Sequence, residues 1–404
     1  MYRFALSPTK DLQTEELRVA LYSFISAKKS DKKFIIQIED SNHEKNIQGK
    51  DREILEILNL FGITYDSVHY QSNNLKFHRQ LASKLLMDSN AFSCFCTEEI
   101  IETKKEQAKQ NATTYSYDGT CKKLTNDEVM ANETPFVIRA KKPDDKKIDD
   151  FMILRVDKTA TSNFANAIDD MLNSVTTIIE DEKKWLDFQK QELIRNYLSY
   201  NEKIELIKLP TMLNSFSVKS LLEDGFMPAS ILNYLLLLEN KTEKEIFTLD
   251  EAFEFVDVNN LTKEEVKFDI DKLKDINKKH IKLLPQLQLA KLIGYSSKDI
   301  GELAKVYLEE ASTINEIKAK IDTIFSKDKS NEFSEDIKKL KDISKNLPYF
   351  KEYDEFKDTL LKESPLDEQL FDKHLRVLLT GAESGPSLDK IYPHIKNYLG
   401  EIIR

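Results

Sequence analysis

Apolar residues change rhythm along the chain. Arg3 to Leu6 reads as a short strand and is followed by a tight Ser7-Pro8-Thr9 turn. Leu17, Ala20, Leu21, Phe24 and Ile25 then recur at the i, i+3, i+4, i+7, i+8 spacing of a helix with one buried face. Phe34 to Ile38 is a short, nearly continuous apolar run, the pattern of a parallel strand covered on both sides. Strand, turn, helix and strand in this order predict the opening of a doubly wound, nucleotide-binding sheet. Helices are predicted over 52–62, closed by Gly62, and from about Leu75 to Met87. Further strands are predicted over 135–140 and 150–157. Beyond 268 the rhythm is helical: 294–308 and 314–325 are amphipathic, and polar 327–331 reads as a loop. The fold class is therefore an α/β first part followed by an all-α second part.

Composition narrows this picture. The chain has 404 residues, enough for two or three domains, with 32% charged and 40% hydrophobic residues, as in an ordinary globular protein. No apolar stretch is long enough to span a bilayer, and the N-terminus lacks the apolar core of a signal peptide. Three cysteines, Cys94, Cys96 and Cys121, argue against a disulfide framework and for a reducing compartment, so the cytoplasm is expected. A net charge of −10 does not favour non-specific nucleic-acid binding, and neither DNA nor a membrane is expected as a partner. Nine glycines are few for a chain that must let a nucleotide approach its backbone. The pair Cys94-x-Cys96, with Cys121 following, suits a metal better than a disulfide; buried structural cysteines are the alternative.

Several separated phrases carry a resemblance to the glutamyl-tRNA synthetases, class I aminoacyl-tRNA synthetases. The first strand of that family reads R-x-A-P-S-P-T-G, its first helix continues L-R-x-A-L, and its second strand ends in I-E-D. Arg3, Ala5, Ser7, Pro8, Thr9, Leu17, Arg18, Ala20, Leu21, Ile38, Glu39 and Asp40 match. Gly62 to Asp66 and Tyr70-Gln-Ser72 match the stretch that follows. Val137-Ile-Arg139, Asn163-Phe-Ala165 and Asp169-Asp170 match phrases further on. So do Ser217-Val to Leu235, Phe268 to Ile281, and Arg376 to Pro386. The resemblance runs from Arg3 to the last helix. It implies a Rossmann-type catalytic-like domain over 1–205 with a zinc-type insertion at about 93–134, and a stem-contact-like helical linker over 206–267. An α-helical, anticodon-binding-like domain over 268–404 completes it. It also implies a structural zinc ion on Cys94, Cys96 and Cys121. Relatives take the fourth ligand from a Tyr or from a His two residues past the last Cys. That position holds Lys123 here, so Tyr117 is the expected fourth ligand.

Three departures fall where the family places its chemistry. The HIGH signature that meets the triphosphate is Gln13, Thr14, Glu15 and Glu16. Helix N-termini attract anions, yet here two carboxylates occupy the first turn. Like charges about 5 Å apart at an effective dielectric near 20 repel by roughly 3 kcal/mol. Thr14 is the expected N-cap. The Arg that helps hold the glutamate substrate is replaced by Glu180, which repels a carboxylate instead of forking onto it. The KMSKS loop is absent: Pro210 is followed within seven residues by Ser217, where the family phrase resumes, and Lys219 reads as a surface residue. Such groups usually supply several kcal/mol of transition-state stabilisation.

The expected function is that of a catalytically degenerate synthetase that binds tRNA or a protein partner, such as a true synthetase, with ATP not expected as a cofactor. The alternatives are an active glutamate–tRNA ligase with an unusual ATP site, and a protein-binding scaffold or regulator without RNA. Arg3, Ser7, Glu39, Asn166 and Glu180 are expected as remnants of the amino-acid pocket, with Arg3 and Glu39 able to pair as a core ion pair. The six histidines, at 43, 69, 78, 280, 374 and 394, show no metal spacing, and Asp169-Asp170 reads as a loop pair at an element's end. The lysine-rich runs at 278–279 and 338–341 read as solvated helix faces, with contact to tRNA phosphates as the functional alternative.

Overall fold

A computed structural model describes residues 1–403 apart from 114, 144–147 and 327–334. The polar loop expected at 327–331 lies outside the described residues. The chain forms two compact units: one of 1–219, 238–241 and 250–268, the other of 220–237, 242–249 and 269–404.

The first unit is built on a five-stranded parallel sheet. Its strands are β1 (Tyr2–Leu6), β2 (Phe34–Ile38), β3 (Ser67–Tyr70), β7 (Thr177–Asp181) and β8 (Glu205–Leu209), in the order β3-β2-β1-β7-β8. Every residue of β1 and β2 is buried, as their unbroken apolar runs require, and Tyr2 to Leu6 register against Phe34 to Ile38. Helices α1 (Thr14–Lys29), α2 (Lys50–Leu60) and α3 (Leu75–Met87) connect the early strands. The central strand and α1 therefore stand where their apolar spacing places them. A second, antiparallel sheet holds β4 (Ala91–Cys94), β5 (Val137–Ala140) and β6 (Met152–Leu154). Between β4 and β5 lie α4 (Glu98–Gln110) and α5 (Asn126–Met130), and α6 (Ser162–Leu172) and α7 (Trp185–Tyr197) pack beyond β6. Short strands β9 (Met212–Leu213) and β10 (Val266–Lys267) pair in parallel. The Asp169-Asp170 pair is not in a loop, as the sequence suggested, but in the last turns of α6, buried.

The second unit is helical. It holds most of α8 (Val218–Glu223) and all of α9 (Pro228–Leu237), whereas α10 (Leu249–Phe255) falls almost entirely in the first unit; then come α11 (Ile270–Leu283), α12 (Gln286–Leu292), α13 (Lys298–Val306) and α14 (Ile314–Phe325). They are followed by α15 (Glu335–Asn346), α16 (Tyr353–Glu363), α17 (Glu368–Thr380), α18 (Leu388–Ile395) and α19 (Leu399–Ile402). One apolar core, from Ile281 through Phe371 and Tyr392 to Ile403, joins α11 to α19. Gly301 permits the close crossing of α13 over α12, since a Cβ there would come within 1.9 Å of the Gln286 carbonyl. No described helix is long and apolar enough to cross a membrane.

Candidate functional site

The N-terminus of α1 is closed by the chain itself. Gln13, in extended conformation (φ −92°, ψ 157°), is the N-cap, and Thr14 is the first helical residue, which corrects the expectation that Thr14 caps. Every amide of the first turn has a partner from the protein. The Gln13 amide donates to Glu16 Oε2 at 2.9 Å, Thr14 to the Phe216 carbonyl at 2.8 Å, and Glu15 to Ser215 Oγ at 3.2 Å. Glu16 and Leu17 donate to the Gln13 carbonyl at 3.0 and 2.9 Å. The buried Thr14 hydroxyl accepts the Phe216 amide at 3.1 Å, and the Val218 amide donates to the Leu12 carbonyl at 2.9 Å. Gln13 and Ser217 form an antiparallel bridge. The segment from Ser215 to Val218 thus lies along the helix start like a strand. A helix end keeps its affinity for anions only while its amides are free.

Charged side chains fix this arrangement. The Glu15 carboxylate pairs with Lys183, and Glu16 with Lys10 at 3.1 Å. Arg18, fully buried, donates to the Pro210 carbonyl at 2.8 Å, to Asp181 at 3.0 Å and to Glu239. Asp181 in turn accepts the Met212 amide at 3.1 Å. Lys50 bridges Asp11 and Glu53, 2.6 Å from each, while Ser217 Oγ donates to Asp11 and Lys219 reaches Glu53 at 2.9 Å.

Arg3, Glu39, Asn166 and Glu180 line one cavity of about 130 Å³; Ser7 does not, its hydroxyl donating to the Glu39 carbonyl at 3.4 Å. The ion pair expected between Arg3 and Glu39 does not form. Asp170 takes the Arg3 fork, Nε to Oδ1 at 2.9 Å and Nη2 to Oδ2 at 3.0 Å, because α6 buries that carboxylate directly beneath it. Glu180 stands 3.7 Å from Arg3 Nη1. Burial works against the Arg3 charge, yet Asp170, Glu180 and Glu39 together raise its pKa. Glu39 accepts a hydrogen bond from Asn166 Nδ2 at 2.7 Å, and Asn166 Oδ1 is fixed by Gln37 and Gln71. Sequence reading missed Lys184, Asp187 and Gln191, which also line the cavity. Lys184 stands 3.0 Å from Glu180. Burial opposes its charge, but Glu180 and Glu39 push its pKa up to about 12. The signal was available: a lysine follows four residues after Glu180, the position where the resemblance implies an arginine.

Cys94, Cys96 and Cys121 bring their sulfurs within 4.8 Å of one another, the one His/Cys/Asp/Glu group among the described residues with metal-holding geometry. A tetrahedral ion with bonds of about 2.3 Å to sulfur and 2.0 Å to oxygen sets S···S near ~3.8 Å and S···O near ~3.5 Å. Cys96 and Cys121 sulfurs are 3.7 Å apart, and Tyr117 Oη lies 3.4 Å from Cys94 and 3.8 Å from Cys96. These spacings suit a cation and are far from a bonded disulfide. Burial, with Cys94 and Cys121 adding to it against the Tyr117 hydrogen bond, pushes the Cys96 thiol up to about 11. The neighbouring segment Glu98–Gln110 is helical.

In the second unit, α11, α13 and α18 border a groove of about 730 Å³. Lys278, Lys279, Lys282, Lys305, Lys390 and His394 line it, against Glu302 and Glu309. Lys390 pairs with Glu309 at 2.6 Å and Lys279 with Glu245 at 2.5 Å. Lys278, Lys282 and Lys305 have no ion-pair partner among the described residues. The face expected to be merely solvated is therefore concave and strongly positive.

Comparison with known proteins agrees with the phrases in the sequence. The family of class I tRNA synthetases for glutamate and glutamine (E and Q), catalytic domain, matches residues 1–275. A glutamate–tRNA ligase 2 of Sulfurimonas denitrificans is 44% identical, and a glutamate–tRNA ligase 1 of Nitratiruptor is 45% identical, each over 432 aligned positions covering 100% of both chains. That span exceeds the 404 residues here by 28, so these relatives carry segments this chain lacks. Among solved structures, a glutamate–tRNA synthetase from Elizabethkingia anophelis superposes with a TM-score of 0.76 at 20% identity, covering 100% of this chain and 98% of that one. At that identity the likeness concerns the fold.

Proposed function

This chain belongs to the glutamyl-tRNA synthetase family, and from that premise we propose that it has lost ATP-dependent aminoacylation and acts by binding tRNA. The observation that carries the proposal is the closed start of α1. A triphosphate needs the free amides there, and Glu16, Phe216, Ser215 and Gln13 already accept them. Lysines of a mobile clamp would have to extend from the segment after Pro210, but Arg18 and Asp181 hold that segment down. A glutamate side chain entering the cavity would meet Glu180 where the family uses an arginine.

Binding of tRNA is supported from two sides. The relatives are named as ligases of glutamate and tRNA, and the second unit concentrates lysines in one groove of a chain whose net charge is −10. Phosphate contacts favour such a groove whatever the overall charge. A role on tRNA is in keeping with a cytoplasmic location. A protein partner at the closed site is the competing reading, and it predicts no salt-sensitive RNA binding. Full-length identity to named ligases favours a second reading, an active ligase.

Cys94, Cys96 and Cys121, with Tyr117, would hold a zinc ion in a structural role, tying the turn after β4 to the segment around Cys121. Elemental analysis of the purified protein should give about one equivalent of zinc, reduced to background in Cys121→Ser; a zinc-free wild-type protein would exclude this role.

The deciding experiment is charging of bulk tRNA with labelled glutamate at high protein and millimolar ATP, paired with filter binding of the same tRNA. The expected result is no glutamyl-tRNA above background and saturable, salt-sensitive retention. Charging would establish the active-ligase reading, and absence of retention would favour the protein partner.

A further inference from the structure

The helical unit holds a second cavity, of about 420 Å³, which shares no lining residue with the lysine groove. One wall is the segment from Ser344 to Tyr349, which leaves α15, and the other is the stretch from Lys396 to Ile403, which contains α19. Leu347, Phe356, Leu399 and Ile403 give it an apolar lining, with Phe356 and Ile403 buried. The Tyr349 ring is 64% exposed, and its hydroxyl donates to Asn397 Oδ1 at 3.5 Å. Lys345 and Lys396 are the charged residues of the lining, and no carboxylate lines it. Lys345 pairs with the exposed Asp342 at 3.3 Å. The Lys396 ammonium donates to the Lys351 carbonyl at 3.0 Å and has no carboxylate partner among the described residues. Gly400 lines the space as well, inside α19. Glycine weakens a helix, yet a Cβ at Gly400 would meet nothing within 4 Å, unlike one at Gly301. Its missing side chain answers no contact within the chain and leaves the cavity open.

We propose that this cavity binds a small carboxylate carried on an apolar stem, the stem lying over Gly400 against Phe356, Leu399 and Ile403, and the carboxylate on the Lys396 ammonium. An apolar lining with a few polar groups that fix orientation is the usual make-up of a small-molecule site. At about 420 Å³ the space equals roughly fourteen water molecules at ~30 Å³ each, room for a stem of about eight carbons. An ammonium has three donors, so Lys396 can take a carboxylate and keep its bond to the Lys351 carbonyl. A charge-assisted bond of this kind is roughly twice as strong as a neutral one. A cationic head would meet two lysines and no acid in the lining. The inference stands on this cavity alone and depends neither on tRNA binding nor on the loss of aminoacylation.

Octanoate, octanol and octylammonium share one stem and isolate the head group, measured by titration calorimetry on the full chain at fixed ionic strength. Octanoate is expected to bind saturably, octanol at least tenfold more weakly, and octylammonium not at all. Gly400→Leu places a side chain where the stem lies and should abolish octanoate binding with the unfolding midpoint kept. Lys396→Met should weaken octanoate at least tenfold and leave octanol unchanged, a split that damage to the fold cannot produce, and Lys396→Arg should restore octanoate. The proposal is overturned if octanoate shows no saturable heat, or if octanol or octylammonium binds as tightly. It is equally overturned if Gly400→Leu leaves octanoate binding intact, or if Lys396→Met weakens octanol as much as octanoate. Charging and retention of tRNA are read separately, so either result there leaves this outcome independent.

Discussion

The start of α1 and the lysine groove of the second unit both gather charge, and they resolve it in opposite ways. At α1 the charged side chains find partners within the chain: Glu15 with Lys183, Glu16 with Lys10 and the Gln13 amide, Arg18 with Asp181, Glu239 and Pro210. In the groove Lys278, Lys282 and Lys305 face solvent without carboxylate partners among the described residues. Closed electrostatics hold a fold together and leave nothing for a ligand. Open electrostatics carry a cost of self-repulsion that only a partner of opposite charge removes. A surface whose pairs the chain completes therefore offers a charged ligand less than one whose pairs it leaves open.

The sharpest way to break this comparison is to open the closed side. Arg18→Met removes a buried guanidinium and strands Asp181 and Glu239, so urea unfolding should show a loss of about 3–5 kcal/mol, typical of a broken buried pair. A loss below about 1 kcal/mol would mean that the Pro210 segment is not held by this network. On the open side, the Lys278→Glu/Lys282→Glu/Lys305→Glu variant should keep its unfolding midpoint and lose on the order of 100-fold in tRNA affinity. The slope of log affinity against log salt should flatten by about 0.7–0.9 per lost phosphate contact. Unchanged affinity and slope would place the RNA elsewhere.

The smallest effect concerns pH. Lys50 holds the Asp11 and Glu53 carboxyls below their ordinary values of 3.8 and 4.5. Depressed carboxyls stabilise the fold above those ordinary values, and the contribution drains away as pH falls through the folded ones. Water screens both acids, so the effect is about 1 kcal/mol or less. Lys50→Met should cost that much at pH 7 and progressively less as pH falls below about 4; a cost that does not change with pH would assign it to packing alone.

Much of the fold was legible in the sequence. The i, i+3, i+4 spacing from Leu17 to Ile25 and the runs in β1 and β2 report burial directly, because an apolar face must be covered wherever it occurs. The spacing of Cys94, Cys96 and Cys121 likewise marked residues that meet in space. Partners in charged networks were less legible. Arg3 was free to choose Glu39 by sequence, but α6 presents Asp170 at the right distance with no exposure. Thr14 has the chemistry of a cap, but the Phe216 amide, 202 residues away, claims its hydroxyl.

The sequence by itself marked where this chain departs from the phrases of the family it resembles: Gln13 to Glu16, Glu180, and the short passage from Pro210 to Ser217. Tertiary structure alone decided what those departures do. It laid Ser215 to Val218 along the start of α1, set Lys184 against Glu180, and brought three helices together so that their lysines share a groove. Residue identity fixes the sign and donors of a group, but hydrogen bonds and ion pairs act over about 3 to 4 Å, and that distance is set only when remote segments pack.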